Sequence, residues 1–186
     1  MFLIVGLGNP GVEYAATRHN IGFDMITYLS DKYNIPVNSR EGKALVGKGI
    51  LAGEKVMLAQ PQTYMNLSGE SIIQFVNYYK IDIENVIIIY DDIDIEPGIV
   101  KLRKKGGAGS HNGMKSVLEH LKSGNFVHIR VGTGKPEFKE LIIQYVIGKL
   151  NTKEYEMLSP AIKKAAESVS EILNNGIDIA MNKFNC

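Results

Sequence analysis

The chain has 186 residues, 45% hydrophobic and 22% charged, proportions of a globular domain that exclude disorder, collagen and coiled coil. A chain of this length suits one domain and buries roughly 70% of its extended surface on folding. The formal net charge is +1 but unevenly spread: residues 100–139 carry +7 and the remainder −6, which points to a local phosphate or nucleic-acid site against the plainer alternative of a solvated charged face.

Residues 2–7 form a short apolar run ending in Gly6-Leu7-Gly8-Asn9-Pro10-Gly11, which predicts a buried strand feeding a tight loop. Residues 1–7 lack a basic segment and a small-residue cleavage site, so they read as a strand and not a signal peptide. Between Asn20 and about Tyr33, the residues Ile21, Met25, Ile26, Leu29 and Tyr33 recur at helical spacing. Residues 44–51 and 55–59 alternate around Ala52-Gly53-Glu54, a hairpin pattern. A helix over 66–79 follows the Pro61 loop, and the nearly all β-branched 85–90 is the clearest buried-strand signal. Next come an expected strand at 99–103, a glycine-rich loop at 106–110 and a helix at 112–121. Strands at 127–132 and 141–146, a helix at 152–174 and a short final helix complete the expectation. This alternation, without repeat or linker, predicts a single α/β domain over 1–186, a twisted mixed β-sheet flanked by helices on both faces.

No apolar run approaches the ~18 residues of a membrane span. The one cysteine, Cys186, permits no intramolecular disulfide and no Cys-rich metal site, which fits the cytoplasm; a terminal thiol is also a poor nucleophile. Gly6-x-Gly8-x-x-Gly11 matches a dinucleotide fingerprint, but the helix starts only near Asn20, too far away to offer its N-terminus to a pyrophosphate. Pro10 removes a donor from that loop, and no acidic residue follows at the distance a ribose needs. Gly113-Met114-Lys115-Ser116 fails as a P-loop, and Gly109-Ser110-His111 fails as a nucleophile elbow. His19, His111, His120 and His128 show no i,i+4 pair and no cysteine partners, so no metal site is expected.

Polar residues at the ends of apolar elements are left. Asn9 follows the first strand, Asp91 and Asp92 the most buried one, and His19, Asn66 and Asn112 stand at helix starts. Ligands bind at the carboxyl ends of strands in open α/β sheets, so Asn9 and Asp91 can share a crevice. Helix capping by Asn66 and Asn112, and a plain turn at Asn9-Pro10, are the bland alternatives.

Several segments together resemble the bacterial-type peptidyl-tRNA hydrolases. They are Val5-Gly6-Leu7-Gly8-Asn9-Pro10-Gly11 with Tyr14, Thr17-Arg18-His19-Asn20-x-Gly22, and Pro61-x-Thr63-Tyr64-Met65-Asn66-Leu67-Ser68-Gly69. Tyr90-Asp91-Asp92-Ile93-Asp94-x-x-Pro97-Gly98, Gly107-x-x-x-His111-Asn112-Gly113-Met114-Lys115-Ser116 and Arg130-Val131-Gly132 with Pro136 complete the match, in family order, to about residue 150. The resemblance implies hydrolysis of the ester between a nascent peptide and the terminal ribose of tRNA, with His19 as general base and Asp91 holding it. It places Asn9, Tyr14, Tyr64, Met65, Asn66, His111 and Asn112 at the substrate. It places Arg103 and Arg130 at the tRNA 5′-terminal phosphate, with Lys101, Lys104 and Lys105 extending the basic track. No cofactor, metal or membrane is implied, and a cytoplasmic monomer is. Ser110 and Tyr90 depart from the family, which usually has glycine and frequently histidine there. An RNA-binding relative without cleavage and a nicotinamide-dependent oxidoreductase are the rival readings.

Overall fold

The computed structural model describes residues 1–185; Cys186 lies outside them. Seven strands form one mixed sheet: β1 Phe2–Gly6, β2 Ser39–Glu41, β3 Ala44–Leu51, β4 Glu54–Pro61, β5 Val86–Asp92, β6 Val100–Arg103 and β7 Val127–Gly132. Their order is β2-β3-β4-β1-β5-β7-β6. The central four run parallel, with Ile4 beside Leu58 and Ile87, and Tyr90 beside Arg130. The outer strands are antiparallel, β3 on β4 and β6 on β7. Strand β5 is fully buried from Val86 to Tyr90, as a central parallel strand of β-branched residues should be.

Alternation along the strands divides the core in two. Ile4, Ile87 and Ile89 face helices α1 (Ile21–Tyr33), α5 (Thr152–Asn175) and α6 (Ile177–Phe184), meeting Met25, Leu29 and Val169. Leu3, Val5, Ile88 and Tyr90 face α2 (Ser68–Tyr79) and α3 (Asn112–Leu121), meeting Phe75, Met114 and Val117. Among the described residues no helix is long and apolar enough to cross a membrane.

Residues 141–146, expected as a strand, are helical instead. They form a short 3₁₀ turn, Lys139–Leu141, and helix α4, Ile142–Val146. Two isoleucines and a valine suggested extension, but Ile142 and Val146, four apart, share one helical face over a cavity.

The glycines of the dinucleotide-like motif allow close packing. A Cβ on Gly6 would lie 1.9 Å from the Gly22 carbonyl oxygen, and one on Gly22 would lie 2.4 Å from the backbone of Leu7. Helix α1 therefore presses onto β1 and β5, and its N-terminus, with His19 just before it, comes to stand at the carboxyl ends of those strands.

Candidate active site

The last residues of β5 decide the site. Asp91 falls on the α1 face of the sheet, where it is 1% exposed. His19 lies in a one-turn 3₁₀ helix, Arg18–Asn20, which continues into α1. Its Nδ1 donates to both oxygens of Asp91, at 2.9 and 2.8 Å. Because a carboxylate only accepts, Nδ1 carries the hydrogen and Nε2 keeps a free lone pair. Burial disfavours the imidazolium, but the charge and hydrogen bond of Asp91 outweigh it and raise the His19 pKa above its ordinary value. Asp91 is likewise penalised by burial, and the two imidazoles facing it hold its carboxyl far below the usual carboxylate range.

The second imidazole is His111, whose Nε2 donates to Asp91 Oδ1 at 3.0 Å. Its tautomer is fixed from the other side. His111 is the N-cap of α3, and its Nδ1 accepts the Met114 N–H at 3.2 Å. The capping that was the alternative reading of Asn112 is thus done by His111, and Asn112 is the first residue of the helix. Asn66 makes no capping bond either, lying inside the short 3₁₀ turn Met65–Leu67 that precedes α2.

Contacts close a ring around this trio. The Met65 N–H donates to Asn9 Oδ1 at 2.7 Å, the Asn9 N–H donates to Asn20 Oδ1 at 2.7 Å, and Asn20 Nδ2 returns a bond to the Asn9 carbonyl at 3.0 Å. Met65 Sδ and the His111 ring both pack against Gly113, so closely that a Cβ there would lie 2.4 Å from the sulfur. Asn9 is thereby oriented, with its Nδ2 donors uncommitted among the described residues. Asn66 and Asn112 are exposed, and their side chains likewise have no internal hydrogen bond there. Tyr14 and Tyr64 meet edge to face, ring centres 6.3 Å apart. Tyr64 holds φ +62° and ψ 159°, a region unfavourable for any side chain and worth ~1–3 kcal/mol of strain. The next residue's bond to Asn9 helps hold it there.

His19, Asp91, His111 and Asn112 line a cavity of about 440 Å³ that continues past Tyr90, Arg103, His128 and Arg130 and is bounded by loop 106–110 and by Ile142, Ile143 and Val146. Tyr90 points away from Asp91; its hydroxyl lies 3.0 Å from His128 Nδ1, burial raises its own pKa, and His128 stacks on Phe126. Burial lowers the His128 pKa to about 4. Arg130 donates to Asp92 at 3.0 Å, and its buried Nε has no partner among the described residues.

The rest of the expected basic track separates from this cavity. Lys104 and Lys105 line another one with Phe2, Asn85 and Val127, at the opposite ends of the parallel strands. Lys104 is paired with Asp178 at 3.2 Å, and Lys101 donates to the Asn185 carbonyl at 2.6 Å. A continuous strip read from sequence order is therefore broken by the turn after β6.

His19, Asp91 and His111 offer ligand atoms within 4.8 Å of one another, a grouping that spacing along the chain hid. Both imidazoles turn an N–H toward the carboxylate, so an ion would have to replace those two hydrogens. Asn20, which holds Asn9, is absent from the residues the sequence places at the site, although it stands beside His19 in the segment Thr17-Arg18-His19-Asn20-x-Gly22.

A family model described as peptidyl-tRNA hydrolase matches residues 3–186. The peptidyl-tRNA hydrolase of Clostridium novyi is 51% identical over 185 residues, 100% of this chain and 98% of that protein. That of Caldanaerobacter subterraneus is 49% identical, with full coverage of both. The crystal structure of peptidyl-tRNA hydrolase from Acinetobacter baumannii superposes with a TM-score of 0.96 at 39% identity, covering 100% of this chain and 95% of that one.

Proposed function

The chain belongs to the peptidyl-tRNA hydrolase family, and from that premise we propose that it cleaves the ester between peptide and tRNA with a water activated by His19. The observation that carries this reading is the His19–Asp91 pair, which leaves one basic imidazole nitrogen directed away from its carboxylate. His19 Nε2 takes a proton from water as the oxygen attacks the ester carbonyl carbon, and Asp91 stabilises the imidazolium that forms. The tetrahedral intermediate carries its negative charge on the former carbonyl oxygen. The carboxamide of Asn9, held by the Met65 N–H, supplies donors for that oxygen without adding a competing charge. Collapse breaks the bond to the ribose oxygen, which takes the proton back from His19. The products are a free tRNA hydroxyl and a peptide carboxylic acid, and His19 is again neutral.

Asn66 and Asn112, with carboxamides that have no partner among the described residues, suit the amide groups of a peptide. A site of such acceptors and donors favours an acylated α-nitrogen over a protonated amine, so aminoacyl-tRNA is spared. Arg103 and Arg130 line the same cavity as His19 and suit a phosphate of the acceptor stem, positioning it without reading sequence. The reading calls for no metal and no cofactor, and for a monomer in the cytoplasm.

Release of N-acetyl-amino acid from N-acetyl-aminoacyl-tRNA tests the proposal, with unacetylated aminoacyl-tRNA alongside. Cleavage of the blocked substrate alone is expected, with His19→Ala lowering turnover at least ~10²-fold at nearly unchanged tRNA affinity. Tight tRNA binding without cleavage would move the chain to the RNA-binding class.

A further inference from the structure

Arg18 touches none of the groups assigned to the chemistry, yet it is only 9% exposed and heavily engaged. Its Nη1 donates to the carbonyls of Tyr145, at 3.0 Å, and Gly148, at 3.3 Å. Its guanidinium lies 4.0 Å over the Tyr145 ring, and Nη2 forms an ion pair with Glu154. Glu154 also accepts the Asn151 N–H at 2.9 Å, as half of the capping box that opens α5. The Arg18 backbone N–H reaches the Gly148 carbonyl as well, and Thr17 bridges to Lys149. The residue immediately before His19 therefore binds the end of α4 and the start of α5 at once.

Helix α4 needs such an anchor. It has five residues, of which only Val146 is buried, while Ile143 is 69% exposed. A helix this short is unstable by itself, and one buried side chain gives it little apolar hold. A further tie is the Tyr145 hydroxyl, which donates to the Thr133 carbonyl at 2.6 Å. Yet Ile142, Ile143 and Val146 wall the cavity that contains His19.

We propose that Arg18 is a positioning residue, which fixes α4 as the roof of the His19 cavity and so sets how the tRNA end of the substrate is held. A planar guanidinium can serve two carbonyls, a carboxylate and an aromatic face together, and a lysine ammonium cannot. The inference rests on the reading that this cavity takes peptidyl-tRNA.

The test is steady-state cleavage of N-acetyl-aminoacyl-tRNA across pH by Arg18→Gln, Arg18→Lys and Glu154→Gln, with thermal melting of each. Arg18→Gln is expected to raise KM at least ~10-fold with kcat within ~3-fold, since a roof displaced by ~1 Å loosens substrate while Asp91 at the end of β5 still holds the His19 ring. Arg18→Lys should do nearly the same. Glu154→Gln leaves both carbonyl bonds in place, keeps the protein folded, and should raise KM ~3-fold. The rising limb of the pH profile should stay where it is in all three. A lowered kcat at unchanged KM, tracking the loss of folded protein, would make Arg18 merely structural and overturn the proposal. A shifted pH limb would overturn it too, by placing the effect on His19. If the unsubstituted chain does not cleave, the functional reading fails and takes this inference with it. If it cleaves but Arg18→Gln keeps its KM, only this inference fails.

Discussion

His19 and His128 are both buried, and each meets one of two neighbouring residues of β5, yet their pKa values move in opposite directions. His19 faces the carboxylate of Asp91; His128 faces the phenol of Tyr90 and the ring of Phe126. Burial disfavours the imidazolium in both. Only a carboxylate reverses the sign, and the alternation of one strand delivers it to one histidine and a neutral hydroxyl to the other. The lesson is that burial, here helped by the nearby charges of Arg130 and Arg103, keeps a histidine neutral, whereas a base must also be given a negative charge to work against.

The largest test makes His19 resemble His128. In Asp91→Asn the charge is lost and the burial kept, so the His19 pKa should fall below the ordinary ~6.5. The amide can also favour the wrong tautomer, and kcat should drop ~10²–10⁴-fold in the blocked-substrate assay.

The second concerns stability and carries opposite signs at the two sites. His128 binds its proton only near pH 4 when folded but near ~6.5 when unfolded. Stability is therefore full above ~6.5 and falls by up to ~3 kcal/mol as the pH drops toward 4. His19, with its raised value, adds stability below ~6.5 that is lost as the pH rises through its folded pKa. Urea unfolding of His128→Phe between pH 7 and 4.5 should show a flatter acid decline than the parent chain.

A third substitution separates the base from its donors. Asn9→Ala removes the uncommitted Nδ2 donors and strands the Met65 N–H, and should lower kcat by ~10²-fold while the pH limb stays in place. The smallest effect is expected from Tyr90→Phe, which deletes one hydrogen bond to His128 and should cost about 1 kcal/mol in denaturant unfolding with little change in turnover.

The sheet was largely legible because its signals are local. β-branched runs such as 86–89 and the helical spacing of Ile21, Met25 and Leu29 declare themselves within a dozen residues. Helix α4 was misread because five residues carry no clear period, and tertiary ties from Arg18 and Thr133 decide its form. His19, Asp91 and the asparagines stand out in the sequence through motifs at element ends, and the fold brings His19 and Asp91 within hydrogen-bond distance. The contacts of Asn20, His111 and Arg18 do not, since each reaches a partner distant in the chain: Asn20 the Asn9 backbone, His111 Asp91, Arg18 Tyr145, Gly148 and Glu154. The basic track is not continuous for the same reason: Arg103 and Lys104 are adjacent in sequence, yet the fold places them in different cavities.

The most direct measurement is ¹⁵N NMR of the His19 imidazole across pH, set beside the pH profile of kcat/KM for N-acetyl-aminoacyl-tRNA. The account predicts a neutral ring protonated on Nδ1, a pKa above the ordinary histidine value, and a rising kinetic limb at that same pKa. A proton on Nε2, or a limb unrelated to the His19 titration, would contradict it.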